Sequence, residues 1–258
     1  MGNASRAYKR LRSWAFGAHR QATKRFHRDR ATWLKQGGEI THSFPIITDF
    51  SENAGQAKGH YFHQDLLVAS LIHASKPTRH VDVGSRIDGF VAHVASFREI
   101  EVIDIRPLPP TAHNNIRFLQ MDLMNEAEVE LADSISCLHA IEHFGLGRYG
   151  DPIAVDGHVK GISNLVKMLK PGGTLYISVP IGKGNEVHFN AHRVMDPRYI
   201  LDNLEIKSEM NLKRFDYVDD KGDLHTNGTI EETIGRFRFG CGIYTLQKKP
   251  YLPSLKKK

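Results

Sequence analysis

Several features are scarce in this sequence of 258 residues, and each scarcity removes a class of protein. Its two cysteines, Cys137 and Cys241, are too few for a disulfide framework, so we expect both to be buried, reduced thiols. No run of 18 apolar residues occurs, which excludes a membrane-spanning helix. No stretch has the apolar core of a secretory signal, so we expect a cytoplasmic protein.

Acidic residues are almost missing from the first 35 positions, which hold ten Lys or Arg residues and a single acid, Asp29. Trp14, Phe16, Phe26 and Trp33 lie among these cations, in a pattern typical of an amphipathic helix. Two interpretations follow: a solvated arm that packs its aromatics on its own domain, or a peripheral contact with anionic lipid at the inner membrane surface. Nucleic acid is the less favoured partner.

Beyond this arm, short apolar runs alternate with helical segments, as in βαβ units. We predict helices at 58–75 and 157–169, and strands at 79–83, 100–105, 116–120, 134–138, 173–179, 212–218 and 239–247. In the first helix, the spacing predicts a buried face formed by Phe62, Leu66, Ala69 and Ile72.

The predicted elements indicate one α/β domain over 58–248. Its mostly parallel, seven-stranded sheet should have right-handed crossovers, helices on both faces and a C-terminal antiparallel hairpin. A basic extension, 1–57, precedes this domain and is partly helical or disordered. A basic tail, 249–258, follows it.

Polar residues stand at four predicted strand ends, where open α/β sheets bind ligands. Gly84, within Asp82-Val-Gly-Ser85, would let a ligand approach the backbone closely. Asp104 follows about 20 residues later, where an acid accepts both ribose hydroxyls. Asp122-Leu123 and His139 follow the next two strands. This order favours an adenosine-containing ligand.

These residues resemble those of a known family. The order Asp82-x-Gly84, Asp104, Asp122, Glu142-His143 and Leu169-Lys-Pro-Gly-Gly-Thr-Leu175 resembles the class I S-adenosylmethionine-dependent methyltransferases. More narrowly, Tyr61–Asp65, Val83–Arg86, Glu142–Pro152 and Phe189–Arg193 are similar to the bacterial family catalogued as domain of unknown function 268, over roughly 58–247. The resemblance implies a Rossmann-like fold and S-adenosyl-L-methionine as cofactor.

Carried over to this sequence, the resemblance implies cofactor contacts from Asp82 and Gly84 near the methionine moiety, from Asp104 at the ribose, and from Asp122 with Leu123 at the adenine. Ser85, Arg86 and His139 are further candidate cofactor contacts. Arg86 stands where the broad family usually has a second glycine, so this cation either pairs with the methionine carboxylate or crowds it. A nicotinamide dinucleotide fits less well because its fingerprint needs three spaced glycines.

On the acceptor side, a hydroxyl would need a base, and His143 beside Glu142 is the first candidate. Candidate substrate contacts come from the glycine-rich loop after strand four and from the segment after strand five: Arg148, Tyr149, Asp151, His188, Asn190, His192 and Arg193. We therefore expect methyl transfer, by O-methylation, to a polar small molecule or sugar. The alternative is a non-catalytic domain that binds a nucleotide or a protein partner.

One competing motif points to zinc. His139-Ala-Ile-Glu-His143 matches the H-x-x-E-H pattern of some zinc peptidases, which requires a continuous helix. Because His139 ends a predicted strand and Gly145 and Gly147 follow closely, we expect no metal at this motif.

Overall fold

The structure is a computed structural model that describes residues 2–125 and 131–250, with side chains from residue 17 onward. The chain divides into two compact units, 1–56 and 57–258. The predicted C-terminal tail, 249–258, lies almost entirely outside the described residues.

The N-terminal unit consists of one long helix and a short turn. Helix α1 (Gly2–Lys35) spans 34 residues and is followed by a 3-10 turn at Asp49–Ser51. The Arg25 guanidinium lies 4.3 Å from the ring centroid of Phe50. Most side chains of α1 from residue 17 onward are exposed, including Trp33 at 55%.

The second unit is built around one large sheet. Its helices are α2 (His60–Ser75), α3 (Ala92–Ala95), α4 (Gly157–Lys167), α5 (Tyr199–Asp202) and α6 (Leu204–Glu209). Its strands are β1 (His80–Val83), β2 (Ile100–Asp104), β3 (Ile116–Gln120), β4 (Ala132–Leu138), β5 (Leu169–Ile181), β6 (Glu186–His188), β7 (His192–Val194), β8 (Met210–Val218), β9 (Leu224–His225) and β10 (Gly240–Lys248).

The strand order is β3-β2-β1-β4-β5-β10-β8-β9. Strands β1 to β5 are parallel, and β10 runs antiparallel to both β5 and β8. This confirms a mostly parallel sheet with a C-terminal antiparallel pair. The predicted count of seven strands was wrong, because the two-residue β9 adds an eighth strand and is too short to leave a periodic pattern. Strands β6 and β7 form a separate antiparallel hairpin.

Helices cover both faces of the sheet, which explains why its central strands are apolar throughout. All four residues of β1 are buried, as are most of those in β4. Val68 and Ile72 of α2 pack in a cluster with Val94 of α3. Ile162 of α4 and Ile206 of α6 belong to the second cluster, against the opposite face.

The buried face of α2 differs from the predicted one. Phe62 and Leu66 are 41% and 45% exposed, whereas Gln64 and Asp65 are buried beside Val68, Ala69 and Ile72. The reason is a buried polar contact, because the Gln64 amide oxygen accepts a hydrogen bond of 2.7 Å from Ser178 in β5. The hydrogen bond offsets the cost of burying the Gln64 amide. Because Gln64 faces the sheet, Phe62 and Leu66 lie on the outer side of the helix.

Among the described residues, no helix combines the length and the apolar character needed to cross a bilayer.

Candidate functional site

A cleft that is partly open to solvent lies at the carboxyl ends of β1 to β4. It is lined by Val83, Gly84, Ile103, Asp104, Ile105, Arg106, Met121, Asp122, Leu123, Met124, His139, Ala140, His143, Phe144, Tyr149 and Asp151. The sheet therefore brings the four predicted strand ends to one place.

Gly84 forms the turn at the end of β1. Its φ is +75°, and an added Cβ would come within 2.8 Å of the Ala140 Cβ. Its N–H donates to the carbonyl of Ile103 over 2.9 Å, which fixes the turn against β2. A side chain would be strained here in both conformation and space, so the glycine keeps this wall of the cleft as bare backbone.

Asp82 and Ser85 lie behind this turn instead of lining the cleft. The Asp82 carboxylate accepts hydrogen bonds from the Ser85 N–H (3.1 Å), the Ser85 hydroxyl (2.8 Å) and the Ser136 hydroxyl (2.6 Å). Complete burial raises the pKa of Asp82 to about 7, against the opposing effect of these three donors. In this structure both residues brace the loop.

Arg86, the unusual residue of the turn, points away from the cleft. Its side chain is 65% exposed and forms a two-point ion pair with Asp88, with distances of 3.0 and 2.8 Å. The cation therefore does not crowd the cleft, and it lies apart from the other predicted cofactor contacts.

Asp104 lines the cleft, but both of its carboxylate oxygens are bound by Arg106. The guanidinium of Arg106 donates to Oδ1 at 3.0 Å and to Oδ2 at 2.5 Å, and the Arg106 backbone N–H donates to Oδ1 at 2.8 Å. Arg106 also lies 4.4 Å from the ring centroid of Tyr149. A ligand with vicinal hydroxyls would have to compete with this ion pair.

Asp122 and Leu123 line the same cleft after β3. The Asp122 carboxylate accepts hydrogen bonds from the Met124 N–H (2.9 Å) and the Asn125 amide (3.3 Å), which shape the loop. Leu123 is buried and presents an apolar surface. This side of the cleft suits a flat ring.

After β4, His139, Glu142 and His143 form a buried group. His139 Nδ1 lies 2.9 Å from Glu142 Oε1, and His143 Nε2 lies 3.6 Å from the same oxygen. Burial opposes the charge on Glu142, but His139 outweighs it and lowers the pKa of this carboxyl group. Cys241 and Glu142 likewise outweigh the burial of His139 and raise the pKa of that imidazole.

The backbone around His143 fixes its tautomer. Its Nδ1 lies 2.7 Å from the carbonyl oxygen of Ala191. Nδ1 also lies 3.3 Å from Nη1 of Arg148, which can only donate, but the shorter contact is to the carbonyl, which can only accept, and this favours a proton on Nδ1 and a basic Nε2. Burial lowers the pKa of His143, which leaves it neutral and able to accept a proton.

The glycine-rich loop after His143 is held by its own acid. Asp151 accepts hydrogen bonds from the N–H groups of Gly145 (2.9 Å), Gly147 (3.1 Å) and Tyr149 (3.1 Å). Arg148 donates to the Ala191 carbonyl at 2.8 Å. Of the three predicted substrate contacts in this loop, Tyr149 and Asp151 line the cleft and Arg148 does not.

The predicted residues after β5 lie in and around the β6–β7 hairpin, outside the cleft lining. Arg193 is buried and donates to the backbone carbonyls of Glu142 (3.1 Å) and Phe144 (2.7 Å), so it fastens the hairpin to the loop after β4. His188 is exposed and pairs with Glu186 over 2.8 Å. The ring of His192 lies 5.1 Å from that of His188, and Asn190 is exposed.

Sequence reasoning missed two residues at this site. The first is Arg106, which binds Asp104. Its position two residues after an acid was the signal in the sequence that could have indicated this ion pair. His60 lies beside His139, with ring centroids 5.2 Å apart. No local pattern could place these two histidines together, since they come from distant parts of the chain.

The H-x-x-E-H motif does not form a helix. His139 has a left-handed backbone, with φ of +49°, and only Ile141–His143 form a 3-10 turn. The geometry of a zinc peptidase is therefore absent from this motif.

The model of one protein family matches residues 114–228. That family is described as Caenorhabditis protein of unknown function, DUF268. This supports the narrower resemblance over that range. The attribution to bacteria is not supported, and the motifs at Tyr61–Asp65 and Val83–Arg86 lie outside the matched range. No protein of curated function matches the chain by sequence.

Solved structures with the same fold include several enzymes. The 1,6-didemethyltoxoflavin-N1-methyltransferase of Burkholderia thailandensis, with bound 1,6-didemethyltoxoflavin and S-adenosylhomocysteine, is 11% identical with a TM-score of 0.50, and the match covers 90% of each chain. Coclaurine N-methyltransferase, bound to N-methylheliamine and S-adenosylhomocysteine, is 10% identical with a TM-score of 0.51, over 78% of this chain and 76% of that chain.

The [4+2]-cyclase SpnF is also similar, with 14% identity and a TM-score of 0.50, over 91% of this chain and 97% of that chain. At such low identities the likeness concerns the fold alone. Residues 57–250 thus adopt a Rossmann-like fold that methyltransferases share with at least one cyclase.

Proposed function

We propose that this protein binds S-adenosyl-L-methionine in the cleft at the carboxyl ends of β1 to β4 and transfers its methyl group to a polar small molecule. The observation that carries the proposal is the shared cleft. Gly84, Asp104 and Leu123 come from three successive strand ends and line it together. A nucleoside with a charged tail needs a bare turn, a carboxylate and an apolar wall in this order.

The structural neighbours support this choice of cofactor. Two proteins of the same fold were crystallised with S-adenosylhomocysteine, the product that remains after methyl transfer, and each also holds a second small molecule, 1,6-didemethyltoxoflavin in one and N-methylheliamine in the other. In the proposed arrangement, the Gly84 turn faces the methionine moiety, Asp104 takes the ribose hydroxyls, and Asp122 with Leu123 holds the adenine. Asp82 and Ser85 contribute indirectly, by fixing the turn.

The acceptor is proposed to enter beside His143. Methyl transfer from a sulfonium is an in-line displacement, so alignment and exclusion of water supply most of the rate. A hydroxyl acceptor would lose its proton to Nε2 of His143, whose tautomer is set by the Ala191 carbonyl. This supports O-methylation of a polar molecule such as a sugar, with Tyr149 on the wall of the cleft.

The cofactor proposal is tested by calorimetric titration of S-adenosylhomocysteine into the wild type and into Asp104→Ala. We expect binding to the wild type and a loss of at least about tenfold in the variant, since hydrogen bonds to a charged group contribute roughly 1.5–3 kcal/mol. Asp202→Ala, at an exposed carboxylate of α5, is the matched control and should bind like the wild type. Absence of heat with the wild type would refute the proposal.

The role of His143 has a separate test. Once a methyl acceptor is found by screening polar metabolites for methyl incorporation, His143→Ala should lower kcat by about 10²-fold or more while S-adenosylhomocysteine still binds. Unchanged turnover would remove His143 from the reaction.

One observation favours a second candidate function. Arg106 binds both oxygens of Asp104 and lies over Tyr149, so the part of the cleft proposed for the ribose is held by an ion pair. A non-catalytic domain that binds a nucleotide or a protein partner could retain the fold with this pair intact. Heat with S-adenosylhomocysteine, together with no methyl incorporation across the metabolite screen, would favour this alternative.

A further inference from the structure

A second group of reactive side chains adjoins the cleft. His60 at the start of α2, His139 after β4 and Cys241 in β10 bring one imidazole nitrogen each and the thiol sulfur within 4.8 Å of one another. His139 borders the cleft, whereas the other two residues lie outside its lining. We call these three residues the His2Cys cluster.

The imidazole of His139 is oriented as a metal ligand would be. Its Nδ1 contacts Glu142 Oε1 at 2.9 Å, while its Nε2 is buried without a hydrogen-bond partner. The side chain is only 5% exposed, so water does not readily satisfy that nitrogen. In metal sites, a carboxylate commonly binds the second nitrogen of a ligating histidine and fixes its orientation.

Cys241 is fully buried and held by weak contacts. Its sulfur lies 3.8 Å from the Gln64 amide oxygen and 3.9 Å from the Gly242 carbonyl. Cys137, the other thiol, is also buried. It belongs to the apolar core cluster that contains Val81 and Ile135, whereas Cys241 belongs to the cluster that contains Val68 and Ile72. The chain therefore offers two buried thiols, of which one faces two imidazoles.

His60 completes the cluster from the opposite side. Its ring stacks between those of His139 and Phe239, at 5.2 and 5.4 Å between centroids. Burial, followed by the effect of His139, lowers the pKa of His60 to about 4, so this imidazole is neutral.

We propose that the His2Cys cluster binds one zinc ion, through the Cys241 thiolate and one nitrogen each of His60 and His139. Zinc is bound in proteins by imidazole nitrogens and thiolate sulfurs, and three protein ligands leave the fourth tetrahedral position for water or substrate. In the described part of the chain, no fourth residue of suitable type belongs to the cluster.

The separations of the three ligand atoms determine how far these atoms must move when zinc binds. Zinc bonds of about 2.0–2.3 Å at tetrahedral angles require ligand atoms roughly 3.3–3.6 Å apart. The three atoms, now within 4.8 Å, must therefore draw together by about 1 Å. The Cys241 sulfur loses its proton to solvent, as does Nε2 of any protonated His139, and three bonds to zinc form in their place.

The position of the ion gives it a chemical use. Because His139 is a proposed ligand and also lines the cleft, the zinc ion would lie next to the cleft. A zinc ion there would hold a thiol, hydroxyl or carboxylate of a bound molecule and lower the pKa of a bound hydroxyl or thiol. The site does not depend on which cofactor fills the rest of the cleft.

The test is zinc titration of full-length protein that carries no histidine tag and has been freed of metal with a chelator, monitored against a chromophoric chelator. We expect one equivalent to bind, and Co²⁺ in its place to give a thiolate charge-transfer band. Cys241→Ser and His60→Ala should each weaken binding by at least about 100-fold, and Glu142→Gln by about 10–100-fold. Two variants serve as matched controls and should bind zinc like the wild type. Cys137→Ala removes the other buried thiol, and His73→Ala removes an exposed histidine of α2.

A second measurement uses the wild type alone, in case a variant does not fold. Zinc should slow the alkylation of Cys241 by iodoacetamide, read by mass spectrometry under mildly denaturing conditions, by at least tenfold more than it slows the alkylation of Cys137, which only the stabilisation of the fold protects. Three results would each overturn the proposal. The wild type could bind zinc only weakly, Cys241→Ser could bind zinc as tightly as the wild type, or Cys241 could be alkylated at the same rate with and without zinc. Methyl transfer and S-adenosylhomocysteine binding are not read in either assay, so failure here is distinct from failure of the proposed function.

Discussion

Asp82 is expected to contribute a pH-dependent term to stability. Burial raises its pKa from 3.8 to about 7, so between these values its carboxyl group holds a proton in the folded protein that it has released in the unfolded chain. The contribution of Asp82 to stability should therefore fall as the pH rises through this window, by up to roughly 4 kcal/mol, and level off above it. Asp82→Asn should remove this slope in urea unfolding series, whereas Asp202→Asn should not. Parallel pH profiles for wild type and Asp82→Asn would contradict the assignment.

Arg106 offers a second prediction for a single residue. If nucleoside hydroxyls replace it on Asp104, Arg106→Ala should bind S-adenosylhomocysteine up to about fivefold more tightly, since breaking a partly exposed ion pair costs roughly 1 kcal/mol. Arg198 pairs with Asp196 through the same three donor groups, at 2.9, 2.9 and 3.0 Å, but away from the cleft, so Arg198→Ala is the matched control. Weaker binding by Arg106→Ala alone would mean that this cation helps to hold the ligand.

Single residues were predictable where a strand fixes their position. Gly84 and Asp104 end apolar runs, so a parallel sheet must bring them to one edge, and both line the cleft. Asp82 and Arg86 were also predicted to contact the ligand. In the structure, the Asp82 carboxylate accepts hydrogen bonds from two buried serines, and Arg86 forms an ion pair with an exposed aspartate. Side-chain direction depends on such partners, which local sequence does not specify.

At the scale of elements, the loop after β4 depends on its glycines. Gly145 has φ of +78°, and an added Cβ would lie 2.0 Å from the carbonyl oxygen of Ala154. Gly150, in the same loop, has φ of +83° and nothing within 4 Å of such a Cβ. Each alanine substitution should cost about 1–2 kcal/mol for the left-handed backbone, but Gly145→Ala should cost at least about 2 kcal/mol more, because backbone must move. Urea unfolding measures both, and equal losses would show that the loop adapts freely.

Most of the predicted strands are buried ones. Strands β1 and β4 were predicted because both of their faces are covered and they read as apolar runs, whereas β3 was predicted although most of its residues are exposed or only partly buried. The β6–β7 hairpin was missed because the three residues of β6 are all exposed and carry no alternation. The His2Cys cluster was missed for a related reason: it joins α2, β4 and β10, and only the strand order brings these elements together.

At the scale of the whole molecule, the two units should act separately. Both apolar core clusters consist of residues between 68 and 246, within the second unit. Removing residues 1–35 should therefore leave the thermal midpoint within a few degrees of the wild type. If residues 1–35 contact anionic lipid, the full chain should bind vesicles that contain such lipid, added salt should weaken this binding, and the deletion should abolish it. Vesicle binding that survives the deletion would assign lipid contact to another surface, and co-sedimentation measures it.

The position of β10 has a consequence for how the protein is made. This last strand lies inside the sheet, between β5 and β8, and forms ladders with both. During synthesis, β5 and β8 therefore emerge from the ribosome before β10, each with one open edge. Neither strand can complete its ladder with β10 until residue 248 has left the exit tunnel. Until β10 has emerged, these two edges are open to strand-pairing errors, and Cys241 arrives with the strand that closes them.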